Sequence, residues 1–382
     1  MPFTFKKQIF GFMDLLRFKK LVPNRRRKLA EGSPEPLPKT YRVNETAKIL
    51  HPGYQGAKLV GIEQNTADTK TYTFETDRPF YFRAGQYVTL GCKVGESEVS
   101  RPYAISSAPK AALAGRVSLT VKKCGFFSGY LFDEAKAGDL FTLGDPSGDF
   151  CYEPVKDAAR VVAIAGGSGI TPFYSMAQAI ADGTEDHALT IFYGAKTEGD
   201  LIFKKELDAL ASDKIQVVYV LSDEQREGYE HGFIGADLIE KYVSGDYTVM
   251  MCGPQAMYDF ADRELKKLAL PLRRIKKEAS CVGMRDAAAQ KFTLTVHIGF
   301  DTFTVPADPR ETVLTALERA GLKVPSKCRA GGCGFCHSKL VSGKFTVAGE
   351  DKRRLADVKF GYIHPCCSYP DSDMEIIVPK AQ

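Results

Sequence analysis

The sequence predicts a multidomain protein made of an antiparallel β-barrel, an α/β domain around a parallel sheet and a small α+β domain. Three observations support this order. Short alternating β-forming segments separated by turns fill residues 57–152, which is typical of a small antiparallel barrel. From residue 157, continuous apolar runs alternate with helical segments, as expected of parallel strands buried on both faces. Residues 291–382 combine a hairpin pattern, a short helix and a closing strand.

The composition is that of a globular protein with more than one core. The 382 residues are 44% hydrophobic and 26% charged, which is ordinary for folded domains. We place the barrel at 56–155, the α/β domain at 156–280 and the α+β domain at 291–382, with an extension and linker at 1–55 and a second linker at 281–290.

Hydrophobic periodicity predicts the individual elements. Barrel strands are expected in KLVGIEQ, TYTFET, QYVTL, VSLTVKK and DLFTLG. Parallel strands are expected in ARVVAIA, ALTIFYG, IQVVYVL and DYTVMMCG, separated by helices in TPFYSMAQAIA, FKKELDALA and MYDFADRELKKLA. In the third domain, FTLTVHI and DTFTVP predict a hairpin, ETVLTALERAG a short helix and MEIIV a closing strand.

A cysteine motif in the third domain predicts a metal cluster. Cys328, Cys333 and Cys336 stand in CRAGGCGFC with the spacing C-x4-C-x2-C, and Cys366 and Cys367 begin thirty residues after Cys336. This is the ligand spacing of a plant-type [2Fe–2S] cluster. A zinc site usually shows paired C-x2-4-C spacings, and this region has one such pair. A disulfide framework needs an oxidising compartment, which nothing in the sequence indicates.

The fourth ligand is a choice between two adjacent cysteines. Neighbouring side chains of an extended segment point in opposite directions, so one of Cys366 and Cys367 is expected to face the iron. The string CCSYPDSD resembles the ferredoxin ending C-x-x-Y-P-x-S-D, which favours Cys366. Cys367 is then a buried thiol. Residues 291–382 therefore resemble a whole plant-type ferredoxin domain, which implies a β-grasp fold.

Two motifs of the barrel resemble the flavin domain of the ferredoxin–NADP reductase superfamily. RPYAISSAP starts at Arg101 and GFFSGYL starts at Gly125, and the family patterns are R-x-Y-S/T-x-x-S and G-x-x-S-x-x-L. A guanidinium can pair with a flavin pyrophosphate, an aromatic ring can lie against the flavin, and a helix amino end can bind phosphate oxygens. The resemblance implies a flavin site containing Arg101, Pro102, Tyr103, Ala104, Ser107, Gly125 and Ser128.

Ala104 departs from the family pattern, which usually has a serine or threonine hydroxyl close to flavin N5 at this position. The change puts proton handling and the flavin potential in question, but not flavin binding. Ser107 matches the family's later serine. The segment PSGDF, ending at Phe150, resembles the loop that holds the adenine half of FAD in the FAD-binding members. The resemblance therefore implies FAD, with FMN as the less favoured alternative.

A glycine turn follows the first strand of the α/β domain directly. In GGSGITP, a strand, a glycine turn and a helix start come in succession, which are the elements of a pyrophosphate site. CGPQAM follows the fourth strand. Resemblance to the same superfamily places its cysteine beside the nicotinamide C4; the alternative is a buried strand-end thiol. The implied nicotinamide site contains Gly166, Gly167, Gly169, Thr171, Cys252 and Gly253.

Two further residues bear on the nucleotide. Asp223 favours NADH, because a ribose 2′-phosphate requires basic or hydroxyl side chains whereas a free hydroxyl tolerates a carboxylate. Lys196 and Arg226 are near in sequence and could reverse this choice to NADPH. Glu278 resembles a family glutamate near the flavin edge that moves protons or seats the nicotinamide. A solvated linker carboxylate is the alternative.

Positive charge concentrates in the amino-terminal extension. The first 30 residues carry nine basic side chains and one acidic one, a net charge of +8, and the other 352 residues balance at −3. Basic residues interrupt FKKQIFGFMDLLRFKKLV too often for a membrane span. The segment is compatible with peripheral contact on an anionic membrane, with packing on a partner protein, or with folding back on the body. Nucleic acid binding is not expected, because no recognition module accompanies the charge.

Together the motifs predict an oxidoreductase that turns a hydride into single electrons. A nicotinamide delivers two electrons at once, a [2Fe–2S] cluster accepts one, and a flavin can take two and release them singly. We expect an NAD(P)H:acceptor reductase, a flavoprotein with an iron–sulfur cluster, that serves a partner redox protein such as an oxygenase component or another metalloenzyme. A redox-responsive sensor and a membrane-surface electron carrier are the alternatives.

Partner and location are constrained only coarsely. The ferredoxin region has a net charge of +3, which favours docking to a neutral or acidic acceptor. The scattered cysteines and the lack of a signal peptide favour a reduced, cytoplasmic location. Membrane association through residues 1–30 is left open.

Overall fold

The computed structural model of the protein describes residues 12–32, 40–95, 97–278 and 283–380. The chain divides into two units, residues 1–46 and residues 47–382. Some predicted segments lie outside the described residues: the first eleven residues, most of the EGSPEPLPK linker, and the junction 279–282, which includes the start of the predicted linker 281–290.

Ten α-helices and nineteen strands occur in the described residues. The helices are α1 (Phe12–Ala30), α2 (Arg42–Leu50), α3 (Pro109–Leu113), α4 (Phe126–Asp133), α5 (Thr171–Ala181), α6 (Lys204–Leu210), α7 (Ala236–Tyr242), α8 (Gln255–Leu265), α9 (Val313–Arg319) and α10 (Leu355–Lys359). The strands are β1 (Gln55–Thr66), β2 (Thr69–Thr76), β3 (Tyr87–Val94), β4 (Ser97–Ala104), β5 (Arg116–Lys122), β6 (Leu140–Leu143), β7 (Arg160–Gly166), β8 (Ala188–Ala195), β9 (Ile215–Leu221), β10 (Glu230–His231), β11 (Thr248–Cys252), β12 (Ile275–Lys277), β13 (Phe292–Ile298), β14 (Asp301–Ala307), β15 (Ser338–Ser342), β16 (Phe345–Val347), β17 (Tyr362–Ile363), β18 (Ser368–Pro370) and β19 (Met374–Val378).

Helix α1 carries the basic run of the amino-terminal unit. Its side chains from residue 16 onward are all exposed, including the apolar Phe18 and Leu29. Among the described residues, no helix combines the length and apolar character needed to cross a bilayer. Helix α2 was not predicted, although Val43, Ala47 and Leu50 follow a helical i, i+4, i+7 spacing.

The first sheet of the second unit is the predicted antiparallel barrel. Its strand order is β4-β3-β6-β1-β2-β5, and a bridge between Ile105 and Leu119 joins its two edges. Alternate residues such as Leu59, Phe74 and Leu90 are fully buried inside it. Strand β4 was not among the predicted barrel strands, although RPYAIS taken alone resembles an ordinary strand; its RPYA part does pair with β3.

The second sheet is parallel throughout, with the order β10-β9-β8-β7-β11-β12. The four predicted strands and three predicted helices are confirmed. The two-residue β10, the three-residue β12 and helix α7 are additions that the sequence pattern did not indicate. Strand β7, the first of the domain, lies inside the sheet, with β8 on one side of it and β11 on the other. Open parallel sheets bind ligands at the carboxyl ends of such neighbouring strands.

The third domain has the order β14-β13-β19-β15-β17, with α9 packed on one face and a separate pair β16-β18. The hairpin, the helix and the closing strand are confirmed, and β13 pairs in parallel with β19. The cysteine loop runs between α9 and β15. The short strands β15 to β18 and helix α10 were not predicted.

Candidate functional site

A cleft of about 850 Å³ lies where the three domains meet. Residues from each domain line it. They include Pro102, Tyr103 and Ala104 of the barrel, Thr171, Cys252 and Glu278 of the α/β domain, and Cys328, Gly332 and Cys333 of the cysteine loop. The motifs singled out in sequence therefore converge on a shared space, which is the main structural requirement for electron transfer between them.

The aromatic member of the barrel motif is held in place by stacking. Tyr103 lies near the end of β4, and its ring packs against that of Phe127 at a centroid distance of 6.3 Å and an interplanar angle of 23°. Phe127 belongs to α4 and is buried in the barrel core. The second motif, on α4, thus supports the first, on β4. Ala104 is the last residue of β4 and pairs with Tyr87 of β3.

Arg101 points toward the ferredoxin domain in this structure. Its Nη1 donates to the carbonyl of Ser100 at 2.7 Å and to Oε2 of Glu318 at 3.1 Å. The side chain of Arg101 is 24% exposed. Ser107 is also engaged away from the cleft, because its hydroxyl accepts the Ser118 amide at 3.1 Å. Sequence reasoning had missed Glu318, since an acidic residue on an amphipathic helix carries no signal of its own.

Ser128 caps the amino end of α4. Its hydroxyl accepts the amides of Cys124 and Gly125 at 3.0 and 2.9 Å and donates to the Gly125 carbonyl at 3.0 Å. These amides are therefore already satisfied, and the N–H groups of the first turn remain to point outward. Cys124, just before the helix, lines the cleft, so the start of α4 lies close to this space, and a helix amino end suits an anion.

The loop after β6 forms another wall of the cleft. Gly148, Asp149 and Phe150 line it. Gly148 has a φ of +103°, and a Cβ on it would come within 3.0 Å of the Tyr87 ring. Only glycine fits a position with this conformation and this neighbour. The glycine of PSGDF thus lets the loop fold back over β3.

The two glycine-containing loops of the α/β domain contact each other at the carboxyl end of the parallel sheet. Gly166 ends β7, and Gly167 to Ile170 form a 3-10 turn before α5. A Cβ on Gly169 would lie 2.0 Å from the carbonyl oxygen of Cys252, and one on Gly253 would lie 2.5 Å from Met257. Side chains at these positions would push the loops apart. The glycines therefore create a backbone-lined cradle that suits a nucleotide.

Cys252 and Thr171 stand at the mouth of this cradle. Thr171 is buried, and its hydroxyl donates to the Ser168 carbonyl at 2.7 Å. Burial, with a smaller contribution from the Glu278 carboxylate, raises the pKa of the Cys252 thiol. Cys252 is therefore a neutral thiol, a compact group that can lie against an uncharged ring. Glu278 lines the same cleft, and its amide donates to the Met251 carbonyl at 2.9 Å.

The residues expected near the ribose have partners that bear on the nucleotide choice. Asp223 follows β9, and its carboxylate accepts from Ser222 at 2.6 Å. Arg226 lies 2.5 Å from Glu198 and 3.5 Å from Glu224. Two carboxylates thus balance the guanidinium that could have attracted a 2′-phosphate. Lys196 lies beside Asp223, because its carbonyl accepts the Asp223 amide at 3.0 Å.

The four predicted cluster ligands come together. Cys328 forms side-chain hydrogen bonds with Cys333 and Cys366, and Cys336 forms one with Cys366. Hydrogen bonds from Cys333 and Cys366 lower the pKa of Cys328, and the same contact with Cys328 raises the pKa of Cys366. Thiolates this close repel one another, so without a cation the ionisation of one sulfur hinders that of its neighbours. An iron core fits this donor set, because it makes every ligand a thiolate.

Cys367 is turned in another direction. Its thiol donates to the His364 carbonyl at 3.4 Å, and its Sγ would lie 2.8 Å from a Cβ on Gly331. His364 contacts the Gly331 carbonyl with Nδ1 at 2.7 Å and Asp357 with Nε2 at 3.0 Å. Cys367 and His364 therefore brace the cysteine loop from behind, although Cys367 also touches Cys366.

Several basic residues that line the cleft were missed. They are Lys122, Lys156, Lys276 and Lys277. Lys276 lies 2.5 Å from Asp157, whose side chain is fully buried. Lys276 and Lys277 are neighbours on β12, whereas Lys122 ends β5 and Lys156 lies in the loop before β7, so no single sequence spacing relates all four. Each of the four is paired with a carboxylate, and Asp149, Glu153 and Glu278 also line the cleft, so its rim carries charges of both signs.

Comparison with known families agrees with this geometry. Residues 56–152 match the oxidoreductase FAD-binding domain, residues 163–263 the oxidoreductase NAD-binding domain, and residues 296–371 the 2Fe-2S iron-sulfur cluster binding domain. The predicted cofactor types FAD, NAD and [2Fe–2S] are thereby confirmed.

Individual relatives share the whole arrangement. NADH oxidoreductase HCR of Escherichia coli K12 is 30% identical over 317 residues, which cover 82% of this chain and 94% of the relative. A glycine betaine monooxygenase reductase subunit of Chromohalobacter salexigens is 28% identical, over 85% of this chain and 95% of the relative. The solved structure of phthalate dioxygenase reductase superposes with a TM-score of 0.65 at 23% identity, over 86% of this chain and 98% of that one.

The fold and the cleft define a class of protein, the electron-transfer reductases that join flavin, nicotinamide and iron–sulfur modules. The chain belongs to the ferredoxin–NADP reductase superfamily, in the group that carries a plant-type ferredoxin domain at the carboxyl end. It is an oxidoreductase that uses NADH, FAD and a [2Fe–2S] cluster to pass electrons to a partner redox protein.

Proposed function

We propose that this reductase serves the oxygenase component of a two-component monooxygenase or dioxygenase. The observation that carries the proposal is the cleft shared by Tyr103, Cys252 and Cys333, because it brings a two-electron and a one-electron site together. Relatives named as monooxygenase reductase subunits support it. A bound flavin would supply the conversion of one hydride into two single electrons, and the cluster would carry these electrons one at a time to the acceptor.

The residues of the chain hold and orient these groups. We assign Arg101, Pro102, Tyr103, Ala104 and the first turn of α4 to the flavin, with Ser128 and Ser107 supporting the loop and strand that carry the site. The cradle of Gly166, Gly167, Gly169 and Gly253 receives the pyrophosphate of NADH, and Thr171 and Cys252 face the nicotinamide. Glu278 lies at the cleft, where its carboxylate can hold or release a proton.

A truncation tests the order of electron flow. The protein lacking residues 291–382 should still oxidise NADH with ferricyanide, because the buried cores of the first two domains contain no residue of the third. Its reduction of cytochrome c should fall at least about tenfold, since the one-electron exit is gone. Full-rate reduction of cytochrome c by the truncated protein would disprove the proposed path.

Serine variants test the cluster ligands. Cys328→Ser, Cys333→Ser, Cys336→Ser and Cys366→Ser should each remove or alter the visible absorption of the cluster, because a hydroxyl is a poorer iron ligand than a thiolate. Cys367→Ser is the matched control. It makes the same substitution next to Cys366, at a thiol that donates to the His364 carbonyl. Loss of the cluster in the control, with retention in Cys366→Ser, would reverse the assignment.

A charge reversal tests the preference for NADH. Asp223→Arg should raise the ratio of kcat/KM for NADPH over NADH by at least about tenfold, equivalent to about 1.4 kcal/mol. The exposed Asp213 lies before β9, so Asp213→Arg introduces the same charge away from the site and should leave the ratio unchanged. An unchanged ratio in Asp223→Arg would mean that this carboxylate does not face the ribose.

The acceptor docks, we propose, on the exposed edge of the cysteine loop. Phe335 is 44% exposed, although Cys328 and Cys333 of the same loop face the cleft. Lys327 lies over its ring at 4.7 Å, and the Arg354 guanidinium lies over the neighbouring Gly334. Electrons can thus enter on one edge of the loop and leave on another. An apolar centre with a basic rim fits an acceptor with an acidic rim.

Charge reversal at the rim distinguishes acceptors by their sign. Lys327→Glu should slow reduction of the oxygenase component and should speed reduction of a basic probe such as cytochrome c, with both effects weakening at high salt. Lys241→Glu, on α7 of the α/β domain, is the control and should change neither. Equal effects of Lys327→Glu on acidic and basic acceptors would refute the docking edge.

Peripheral membrane contact through residues 1–30 is a separate proposal. Helix α1 exposes basic side chains together with Phe18, Leu21 and Leu29, a combination that suits an anionic lipid surface. Flotation of the full chain with vesicles that contain phosphatidylserine is the test, because an anionic leaflet attracts basic segments. Equal flotation of a protein lacking residues 1–30 would rule the contact out.

Turnover distinguishes this reductase from a redox-responsive sensor with the same cofactors. A reductase turns over many NADH molecules with ferricyanide, whereas a sensor is bleached once in stoichiometric amount. Steady-state NADH oxidation by the full chain separates the two.

A further inference from the structure

Glu318 occupies an unusual position at the boundary between two domains. It lies in the last turn of α9 in the ferredoxin domain, and its side chain is only 11% exposed. Oε2 is 3.1 Å from Nη1 of Arg101 on the barrel strand β4, and Oε1 contacts the guanidinium of Arg329. One nearly buried carboxylate therefore joins the strand assigned to the flavin and the loop that follows Cys328.

Arg329 itself has a constrained backbone. It is 7% exposed and has a φ of +51°, in the left-handed region that residues other than glycine rarely adopt. This conformation lets the Ala330 amide donate to the Cys328 sulfur at 3.4 Å. A strained residue persists where its surroundings hold it. Glu318 is a fixed partner for Arg329. It therefore influences the shape of the cysteine loop as well as the attachment of that loop to the barrel.

A second ion pair crosses the same boundary but differs in burial. Lys323 lies 2.8 Å from Glu98, with 67% and 59% of the two side chains exposed. Exposed pairs of this kind contribute little. Removing one partner of a buried pair leaves uncompensated charge behind and has a much larger effect. Of these two contacts, Glu318 is therefore the one that can fix the position of the domain.

We propose that Glu318 is a positioning residue for electron transfer, which seats the cysteine loop against the flavin-binding strand through Arg101 and Arg329. The inference rests on the proposed path from flavin to cluster. It adds that the rate of this one-electron step depends on a carboxylate that touches neither NADH nor the iron ligands.

Stopped-flow spectroscopy of the full-length holoenzyme tests the proposal. After mixing with NADH, flavin reduction and cluster reduction are followed in the same trace, and their rate ratio is compared among variants. In Glu318→Gln, which keeps the size of the side chain and removes its charge, cluster reduction should slow about tenfold relative to flavin reduction. FAD content should stay at the wild-type level, because the Arg101 side chain is retained.

Two matched variants isolate the boundary contact. Glu311 pairs with Arg319 inside the ferredoxin domain and is 14% exposed, so Glu311→Gln makes the same substitution at a similar depth. Lys323→Gln removes the exposed pair. Both should leave the rate ratio within about twofold of wild type. A tenfold effect in Glu311→Gln would overturn the proposal, because general damage to the domain would then explain the result.

The cluster potential separates positioning from driving force. Loss of a negative charge near the cluster should move its midpoint potential upward or leave it unchanged. Slower electron arrival at an equal or higher potential is the expected signature of misplacement. A lowered potential in Glu318→Gln would overturn the proposal, since the slower step would then reflect weaker driving force.

Three further outcomes would refute either the role of Glu318 or the proposed function. A wild-type rate ratio in Glu318→Gln would refute the role of Glu318. If that variant lost iron, Glu318→Asp would be measured instead; it keeps the charge but not the reach to both arginines, and a full-speed, iron-replete Glu318→Asp would equally refute the role. Absence of cluster reduction in the unaltered protein would instead refute the proposed function.

Discussion

The barrel contacts its two neighbouring domains through boundaries of different chemical character. Toward the α/β domain the boundary is a continuous core. Phe150 and Tyr152 of the barrel segment lie in the same buried cluster as Phe173 and Met176 of α5. The rings of Phe150 and Phe173 meet edge to face at 5.7 Å. Hydrogen bonds from α5 to the segment after β4 complete this boundary.

Toward the ferredoxin domain the boundary is polar. The buried clusters of that domain contain only its own residues. Its described ion pairs with the barrel are Arg101–Glu318 and Lys323–Glu98. Part of the predicted linker belongs to the ferredoxin side, because the Arg285 amide donates to the Arg310 carbonyl at 2.9 Å and its side chain pairs with Asp371 at 2.8 Å.

The difference follows from what each boundary must transmit. Hydride transfer requires two rings held in a fixed geometry, and a shared apolar core supplies such rigidity. One-electron transfer between modules tolerates a smaller, polar boundary, which resembles transient interfaces. The following predictions test this contrast, from the largest expected effect to the smallest.

Truncation of a ring in the shared core should have the largest effect. Phe173→Ala removes a fully buried ring and should destabilise the protein by about 3–5 kcal/mol, because a cavity remains where the ring packed. Urea unfolding followed by circular dichroism and by flavin fluorescence measures this. Leu355→Ala on α10, at a side chain that is 88% exposed, is the control and should stay within about 0.5 kcal/mol of wild type. A loss below about 1 kcal/mol in Phe173→Ala would contradict a shared core.

A buried pair at the same boundary should make stability depend on pH in two opposing ways. Burial raises the pKa of Glu185 to about 7 and lowers the pKa of His187 to about 4. His187 stacks on Tyr152 at 3.9 Å, and neither of its ring nitrogens has a hydrogen-bond partner among the described residues.

Acidification changes the free energy of unfolding in opposite directions through Glu185 and His187. Folded Glu185 binds its proton more tightly than the unfolded chain does, so its contribution grows as pH falls from 7 toward 4.5. Unfolded His187 binds the proton more tightly, so stability is lost as pH falls from 6.5 toward 4. Wild type should therefore vary little with pH between 7 and 5. His187→Gln should become more stable on acidification and Glu185→Gln less stable, each by about 2 kcal/mol. Parallel pH profiles of wild type and both variants would contradict this.

The exposed pair at the polar boundary should matter least. Glu98→Gln should change the free energy of unfolding by less than about 1 kcal/mol, since solvent screens both charges. Lys241→Gln removes a comparable surface pair within the α/β domain and should give a similarly small change. A change in Glu98→Gln above about 2 kcal/mol would show that this boundary is stronger than its polar contacts indicate.

Much of the architecture could be predicted because it depends on local patterns. The runs ARVVAIA and ALTIFYG become the adjacent parallel strands β7 and β8, since buried strands need continuous apolar segments. The RPYA part of β4 was interpreted first through its flavin motif, although alone it resembles an ordinary strand, and pairing with β3 shows that it is one. Helix α10 and strands β15 to β18 were not predicted; β15 and β17 are defined by pairing within the five-stranded sheet, and β16 and β18 by pairing with each other.

For the candidate site, the sequence by itself determined the types of cofactor and the segments that face them. The spacing of Cys328, Cys333 and Cys336 and the glycines of GGSGITP are local requirements, which any fold of this chain must respect. Tertiary structure decided what no local pattern encodes: that Arg226 is balanced by two carboxylates, that lysines from separate strands surround one cleft, and that Glu318 reaches Arg101 from 217 residues away. These contacts depend on which surfaces meet after folding, and charge and burial act through space rather than along the chain.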